Sequence, residues 1–195
     1  MMRRAAVGLL LLTLGCARLA DNFRTVDDGS FYRSGQMPAS RLARIIRKHN
    51  IRAVINLRGN QPGEEWYREE KAACDALGVA YMDLGWSMRR LPSPESLAQF
   101  IAWCSESDRP TLVHCQAGIH RAGVASACYV LLEGGSLDSA REELGLFFFD
   151  APIGQVLDLY EGSPVPFREW VLTVYPELYG EFSGQTAHIV SETAP

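Results

Sequence analysis

The stretch from residue 111 to residue 128 constrains the fold more than any other part of the chain. An apolar run, Thr111-Leu112-Val113, leads directly into His-Cys-Gln-Ala-Gly-Ile-His-Arg at 114–121, and small residues predominate at 122–128. The apolar run is typical of a buried strand, and the small residues favour a closely packed helix. A strand, a tight loop and a helix N-terminus direct backbone N–H groups and a helix dipole at one point. The pattern therefore predicts an anion-binding loop at the end of a central strand.

Two side chains give this loop its chemistry. Cys115 stands at the start of the loop, where positive potential favours a thiolate and hence a nucleophilic role. Arg121, separated from Cys115 by five residues, brings a planar guanidinium that matches two oxygens of a phosphate group. The backbone between them is predicted to bind phosphate oxygens through Gln116, Ala117, Gly118, Ile119 and His120.

The loop resembles the signature of the cysteine-dependent phosphatases, the protein tyrosine and dual-specificity phosphatase superfamily. The residues in register with that signature are His114, Cys115, Gly118, Arg121 and Gly123. Segments 31–36 and 54–58 are similar to early segments of the atypical dual-specificity phosphatases of plants, fungi and many bacteria. The resemblance covers about residues 23–150. The other interpretations of this loop are a buried cysteine in an ordinary strand-to-helix turn and a sulfur-transfer enzyme of the rhodanese type.

The resemblance implies a mechanism that needs neither a metal nor an organic cofactor. The thiolate of Cys115 would attack phosphorus, and water would hydrolyse the resulting phosphocysteine. Arg121 and the loop amides would bind the three equatorial oxygens, on which negative charge grows in the transition state. His114 is expected to orient the loop rather than to act as a base.

The general acid is the least defined part of the predicted site. The family usually takes the proton from an aspartate on a loop upstream of the nucleophile. Asp83 lies upstream, but at the end of a predicted strand, and the following loop (85–92) carries no carboxylate. We predict Asp83 as the acid, with Glu95 and then Asp150 as the alternatives.

Ala122 departs from the family pattern, in which a serine or threonine usually follows the arginine. The family's hydroxyl helps the thiolate to leave in the second step, so its absence predicts slower breakdown of the intermediate. This departure, together with the missing loop aspartate, keeps a second interpretation open. In that interpretation the chain is a catalytically weak phosphate-binding pseudophosphatase.

The predicted partner is a phosphorylated substrate. Arg58, Arg89, Arg90 and His120 are the cations expected near the loop. Several cations around one phosphate site suit a substrate with several phosphates, and the matching family in plants and fungi is associated with inositol pyrophosphates. An inositol polyphosphate and a phosphotyrosine-type substrate both remain open. The interpretation of Arg89-Arg90 as a solvated loop also stands.

The alternation of strand and helix patterns predicts an α/β fold with a mainly parallel central sheet and helices on both faces. We expect strands within 25–35, at 52–57, 79–84 and 111–114, and helices at 38–49, 63–77, 94–104 and from 122 to Gly134-Gly135. Further helices are expected at 136–146, 152–161 and near 170–175. The phosphatase domain is predicted to span 22–178, with a flexible tail at 179–195.

The first sixteen residues have the pattern of an export signal. Met1-Met2-Arg3-Arg4 is basic, and the apolar run from Ala5 to Leu14 is too short to span a bilayer. Cys16 follows Gly15, which resembles a bacterial lipoprotein signal and predicts a lipid anchor, although Thr13 and Leu14 are unusual there. We therefore predict a periplasmic or membrane-anchored protein, with an N-terminal helix of a cytoplasmic protein as the alternative.

The charge, the histidine positions and the cysteine positions bear on nucleic-acid binding, metal binding and disulfide pairing. The net charge of −4 disfavours nucleic-acid binding. The scattered histidines show no metal-ligand spacing. Cys74, Cys104 and Cys128 lie on apolar helix faces, which favours small buried hydrophobes, although an export compartment would allow two of them to pair.

Overall fold

The computed structural model describes residues 21–106 and 110–182, which form a five-stranded sheet covered by helices. The strands are β1 (Arg24–Asp27), β2 (Phe31–Ser34), β3 (Ala53–Asn56), β4 (Ala80–Asp83) and β5 (Thr111–His114). They lie in the order β1-β2-β5-β3-β4. The β1–β2 pair is antiparallel, and the other pairs are parallel. The predicted fold class is therefore confirmed, and the strand that precedes Cys115 is the central one.

The helices alternate with the strands as their sequence patterns predict. They are α1 (Ala39–His49), α2 (Glu65–Ala76), α3 (Pro94–Glu106), α4 (His120–Leu132), α5 (Leu137–Glu142), α6 (Gln155–Tyr160) and α7 (Phe167–Thr173). A 3-10 turn (Pro152–Gly154) precedes α6, and residues 175–182 are also helical. Asn50 ends α1 in the left-handed conformation, at φ 51°, and the Ser93 hydroxyl accepts a hydrogen bond from the Ser96 N–H in the first turn of α3.

Side chains that alternate along the central strands feed two hydrophobic cores. Phe31, Ile55 and Val113 belong to the larger core, on the side of α3, α4 and α7. Tyr32, Val54 and Leu112 belong to the smaller core, on the side of α1 and α2. Because both faces of the parallel strands are covered, these strands are continuously apolar rather than alternately polar.

One predicted helix is shorter than its pattern indicated. The expected helix at 136–146 ends at Glu142, and Gly145 adopts φ 68° shortly afterwards. A positive φ cannot continue a right-handed helix. The chain therefore turns at 143–149 and brings several large apolar side chains to the surface.

Several further predictions concern residues that the structure describes only in part. The export signal at 1–16, Cys16 and residues 183–195 of the predicted tail lie outside the described residues. The helix of residues 175–182 continues past residue 178, and Tyr179 and Phe182 pack against the larger core. Cys74, Cys104 and Cys128 are buried, as expected for small hydrophobes. No helix in the described ranges is long and apolar enough to cross a membrane.

Candidate active site

A row of polar residues marks the carboxyl edge of the sheet. In the register of the strands, Ser34 pairs with His114, His114 with Asn56, and Asn56 with Asp83. Ser34, His114 and Asn56 are buried. Parallel sheets bind ligands beyond this edge, and the loop that begins with Cys115 starts there.

The loop from Cys115 to Arg121 has three carbonyls bonded to residues outside it and turns the Gly118 N–H toward the cysteine sulfur. The carbonyl of Gln116 accepts a hydrogen bond from the Gln36 N–H at 3.0 Å. The carbonyls of Ala117 and Gly118 accept from the side-chain amide of Asn22 at 3.2 and 2.8 Å. In a planar trans peptide the N–H points away from its carbonyl, so the next N–H groups face the opposite side. The Gly118 N–H does so and lies 3.2 Å from the Cys115 sulfur.

Glycine is required at 118 for two separate reasons. Its φ is 69°, a conformation that disfavours other residues. A Cβ at this position would lie 2.5 Å from the Gly35 nitrogen and 2.6 Å from the Ser34 carbonyl carbon. The loop therefore packs directly against the backbone after β2, and Cys115 at its floor is only 3% exposed.

Arg121 is held at the mouth of the loop by the ends of two strands. Its Nη1 donates to the Leu57 carbonyl at 3.2 Å and to the Trp86 carbonyl at 3.4 Å. Arg58 lies on the same side, stacked on the Trp66 ring at 3.7 Å from its centroid and donating to the Gln36 side chain at 3.3 Å. Burial and then the charge of Arg121 lower the pKa of Arg58. Arg58 thus lies within electrostatic range of both Arg121 and Cys115.

A buried carboxylate supports the loop from the side of α2. Nε2 of His114 lies 2.7 Å from Oε1 of Glu70, and both side chains are almost fully buried. The Tyr81 hydroxyl donates to the same oxygen at 2.7 Å, and the Gln36 amide donates to Oε2. Burial raises the pKa of Glu70, but the charge of His114 and these hydrogen bonds outweigh it, and the pKa lies below its usual value.

A comparison with known protein families identifies the family of this chain. A family model described as "DSP-PTPase phosphatase fused to NAD+ Kinase" matches residues 16–151. The chain belongs to this phosphatase family. The predicted membership of the cysteine-dependent tyrosine and dual-specificity phosphatase superfamily, in its atypical branch, is confirmed.

Two individual phosphatases are similar in sequence to a shorter segment of the chain. The human dual specificity protein phosphatase CDC14A is 34% identical over 86 residues, which are 44% of this chain and 13% of the human protein. The mouse protein of the same name is 30% identical over 86 residues, again 44% of this chain and 13% of its own length. The matched part is thus a small fraction of either relative.

Solved structures of similar shape support the fold. TpbA of P. aeruginosa superposes with a TM-score of 0.56 at 19% identity, covering 77% of this chain and 91% of its own. The core catalytic domain of the PP-IP phosphatase SIW14 from S. cerevisiae has a TM-score of 0.54 at 17% identity, covering 86% and 93%. At these identities the likeness is one of fold alone.

The structure brings together most of the residues that the phosphatase signature predicts. Gly118 contacts the Cys115 sulfur and Arg121 bonds to the Leu57 and Trp86 carbonyls, while Gln116 and Ala117 are exposed and Ile119 and His120 are half-buried. The described ranges contain no group of three or more His, Cys, Asp or Glu side chains arranged to hold a metal ion.

The three candidate acids lie in different surroundings. Asp83 accepts a hydrogen bond at each oxygen, from the Asn56 amide at 2.8 Å and from the Tyr67 hydroxyl at 2.6 Å. Glu95 is exposed and lines an open pocket beside α7. Asp150 is also exposed and lines a pocket with Phe148, whose ring contacts His120. The contacts of Asp83 favour a positioning role, because they tie it to the turn that carries Arg58.

Asn22 and Glu70 are site residues that the sequence analysis missed. Glu70 had a usable signal: it lies on one helical stripe with Tyr67 and Cys74, and all three are buried. A carboxylate on an apolar stripe indicates a buried partner. Asn22 had no comparable signal, since its contacts join residues almost a hundred positions apart.

Proposed function

We propose that this phosphatase hydrolyses phosphomonoesters or phosphoanhydrides through a phosphocysteine intermediate. The Cys115 thiolate attacks phosphorus, a sulfur–phosphorus bond forms, and the bond to the leaving oxygen breaks. Water then attacks the phosphocysteine, releasing inorganic phosphate and the thiolate. Arg121 and the loop amides hold the phosphoryl oxygens throughout both steps.

One observation carries this proposal: three loop carbonyls accept hydrogen bonds from Gln36 and Asn22, and a loop amide points at the Cys115 sulfur. The Gly118 N–H lies 3.2 Å from that sulfur. Donors fixed in this way stabilise a thiolate in the resting enzyme and the equatorial oxygens in the transition state, without reorganisation during the reaction. An ordinary strand-to-helix turn has no need for such an arrangement.

Two substrate classes are consistent with the proposal. Arg58 and Arg121 lie within electrostatic range of each other near Cys115, which suits inositol polyphosphates, and SIW14 is named a PP-IP phosphatase. TpbA has been solved in complex with pTyr, and the rings of Phe148 and Phe149 beside His120 suit an aryl leaving group. We therefore propose both classes as substrates to be compared directly.

A second candidate function follows from Ala122. Ala122 is fully buried at the start of α4. Because its side chain is a methyl group, it offers no hydroxyl to help the thiolate leave. The next polar side chain on this helix, Ser126, donates its hydroxyl to the Ala122 carbonyl at 2.8 Å. A pseudophosphatase that binds phosphate and turns over slowly fits this feature.

Hydrolysis of para-nitrophenyl phosphate by the full chain tests the proposal, in the presence of chelator and reductant. Cys115→Ser is the matched variant, because it keeps the volume and removes the nucleophile. We expect turnover that the variant abolishes, followed by different rates for inositol polyphosphates and phosphotyrosine peptides. Equal inactivity of both proteins, with retained binding of phosphate ligands, would instead establish the pseudophosphatase.

The proposal extends to location. We propose that the chain is exported and anchored by a lipid on Cys16, from the pattern of residues 1–16. Metabolic labelling with palmitate in a bacterial host is expected to label the wild type and to miss Cys16→Ser. If neither protein is labelled and both are found in the cytoplasmic fraction, export and anchoring are contradicted.

A further inference from the structure

A cluster of exposed apolar side chains lies beside the phosphate loop. Leu146, Phe147 and Phe149 are 96%, 61% and 73% exposed, and Met88 on the loop after β4 is 42% exposed. We call these four residues the apolar patch. Exposed groups of this kind mark membrane or protein contacts in soluble domains.

Direct contacts connect the patch to the site. The ring of Phe148, between two patch residues, lies 5.3 Å from the ring of His120 in the phosphate loop. Its other edge packs on Gly154, where a Cβ would approach the ring to 2.8 Å. The neighbouring Ile153 N–H donates to the Met88 carbonyl at 3.3 Å. The two parts of the patch are thus held together next to the mouth of the loop.

Arginines flank the patch on both sides. Arg89 and Arg90 follow Met88 and are exposed. The guanidinium of Arg24 lies 3.6 Å from the point where a Cβ of Gly145 would stand, directly before Leu146. Of the carboxylates near the patch, Glu143 pairs with the buried Arg33 and Asp158 pairs with Arg141. Glu142 and Asp150 are exposed, so three arginines stand against two carboxylates outside these ion pairs. Apolar side chains rimmed by arginine match the composition of surfaces that insert into anionic bilayers.

We infer that the apolar patch and its flanking arginines dock the protein on an anionic phospholipid membrane. Docking inserts the tips of Leu146 and Phe147 between headgroups and sets Arg24, Arg89 and Arg90 against lipid phosphates. The mouth of the phosphate loop then faces the membrane surface, where it meets phosphate groups carried by lipids or by proteins at that surface. Only this last step rests on the proposed phosphatase activity, because docking itself needs no turnover.

Vesicle co-sedimentation of the full chain tests docking, with phosphatidylcholine vesicles that contain or lack phosphatidylglycerol. Since residues 5–14 could bind lipid on their own, the comparison is made between variants of the same chain. Leu146→Asp with Phe147→Asp is expected to weaken binding about tenfold or more, and each of Arg89→Ala and Arg90→Ala about fivefold. These losses are expected with phosphatidylglycerol vesicles, and para-nitrophenyl phosphate turnover of the Leu146→Asp, Phe147→Asp variant should stay unchanged.

Leu172→Asp is the matched control. Leu172 is 55% exposed on α7, beside Pro94 and Tyr179 rather than beside the phosphate loop, and its substitution should leave vesicle binding unchanged. Equal binding by all variants would overturn the inference. So would a dimer that the patch substitutions dissociate, or a loss confined to phosphopeptide hydrolysis, since a second copy or a peptide would then occupy the patch.

Discussion

The imidazole of His114 and the carboxylate of Glu70 meet at 2.7 Å inside the protein, one residue before the nucleophile. Glu70 comes from α2 and is 2% exposed. The contact couples α2 to the residue that immediately precedes the phosphate loop. Removing one partner of such a buried pair leaves the other without compensation.

We expect Glu70→Gln to lower the free energy of unfolding by about 2–3 kcal/mol and to reduce turnover, since His114 and Gln36 lose their charged partner. The folded state lowers the pKa of Glu70 below its ordinary value of 4.5. Its contribution is therefore present above that value and is lost as the pH falls through the folded pKa. Urea unfolding at neutral and acidic pH should show a difference between wild type and variant that shrinks on acidification.

The neighbouring Glu69→Gln is the control for this experiment. Glu69 is exposed on the same helix, so its substitution should change stability by less than about 0.5 kcal/mol. A Glu70→Gln protein that matches Glu69→Gln in both stability and turnover would remove Glu70 from the account of the site.

Asn22 is expected to be a positioning residue for the loop amides. Asn22→Gly keeps the positive φ of 44° accessible but removes the amide that holds the Ala117 and Gly118 carbonyls. Loss of two hydrogen bonds should lower kcat/KM for para-nitrophenyl phosphate about tenfold. Asn50→Gly, at φ 51° on the end of α1, should leave kcat/KM unchanged, and an equal loss in both would point to general destabilisation.

Gly118→Ala should abolish measurable turnover. The added methyl group would meet backbone atoms of Ser34 and Gly35 at 2.5–2.9 Å, so the loop must move away from β2. Gly162→Ala is the matched control, because Gly162 also has a positive φ, 75°, but open space around it. Both variants should lose about 1 kcal/mol or more of stability through φ, and only Gly118→Ala should lose kcat. Retained turnover would mean that the loop tolerates the displacement.

Ala122→Ser should speed breakdown of the phosphocysteine. A hydroxyl at this buried position can donate to the departing thiolate, and a hydrogen bond to a charged group is worth about 1.5 kcal/mol, or roughly tenfold in rate. Stopped-flow hydrolysis of para-nitrophenyl phosphate should show a smaller burst and a faster steady state. Ala125→Ser, equally buried on α4, should show neither change. An unaltered burst in Ala122→Ser would separate this residue from the second step.

The loop from Cys115 to Arg121 was predictable because its chemistry is local: a strand, a turn and a helix contiguous in sequence. The sheet followed from alternating patterns for the same reason. Asn22 and Glu70 act across long sequence separations, and only the folded sheet brings them to the loop. The predicted helix at 136–146 runs past the end of α5 because the apolar Leu144 and Leu146 follow it closely in sequence, whereas Gly145 turns the chain and leaves Leu146 exposed.

The role of Asp83 is the sharpest remaining test of the mechanism. As a general acid it would give its proton to the leaving oxygen, so Asp83→Asn would slow phenyl phosphate far more than para-nitrophenyl phosphate, whose leaving group needs no proton. In the structure the Tyr67 hydroxyl donates to Asp83 at 2.6 Å, and burial, followed by this hydrogen bond, raises the pKa of Tyr67 to about 12. Asn56 occupies the other oxygen and also accepts from the Arg58 N–H at 2.9 Å.

We therefore expect Asp83→Asn to lower kcat for both substrates in the same proportion, through the position of Arg58, together with a loss of stability. Tyr67→Phe removes one donor to Asp83 without touching the carboxyl, and it should reproduce part of this loss. Asp150→Asn, measured in parallel, tests the acid that lies beside Phe148. A loss in Asp83→Asn that is confined to phenyl phosphate would contradict the positioning role and make Asp83 the proton donor, because only a missing proton discriminates between these two leaving groups.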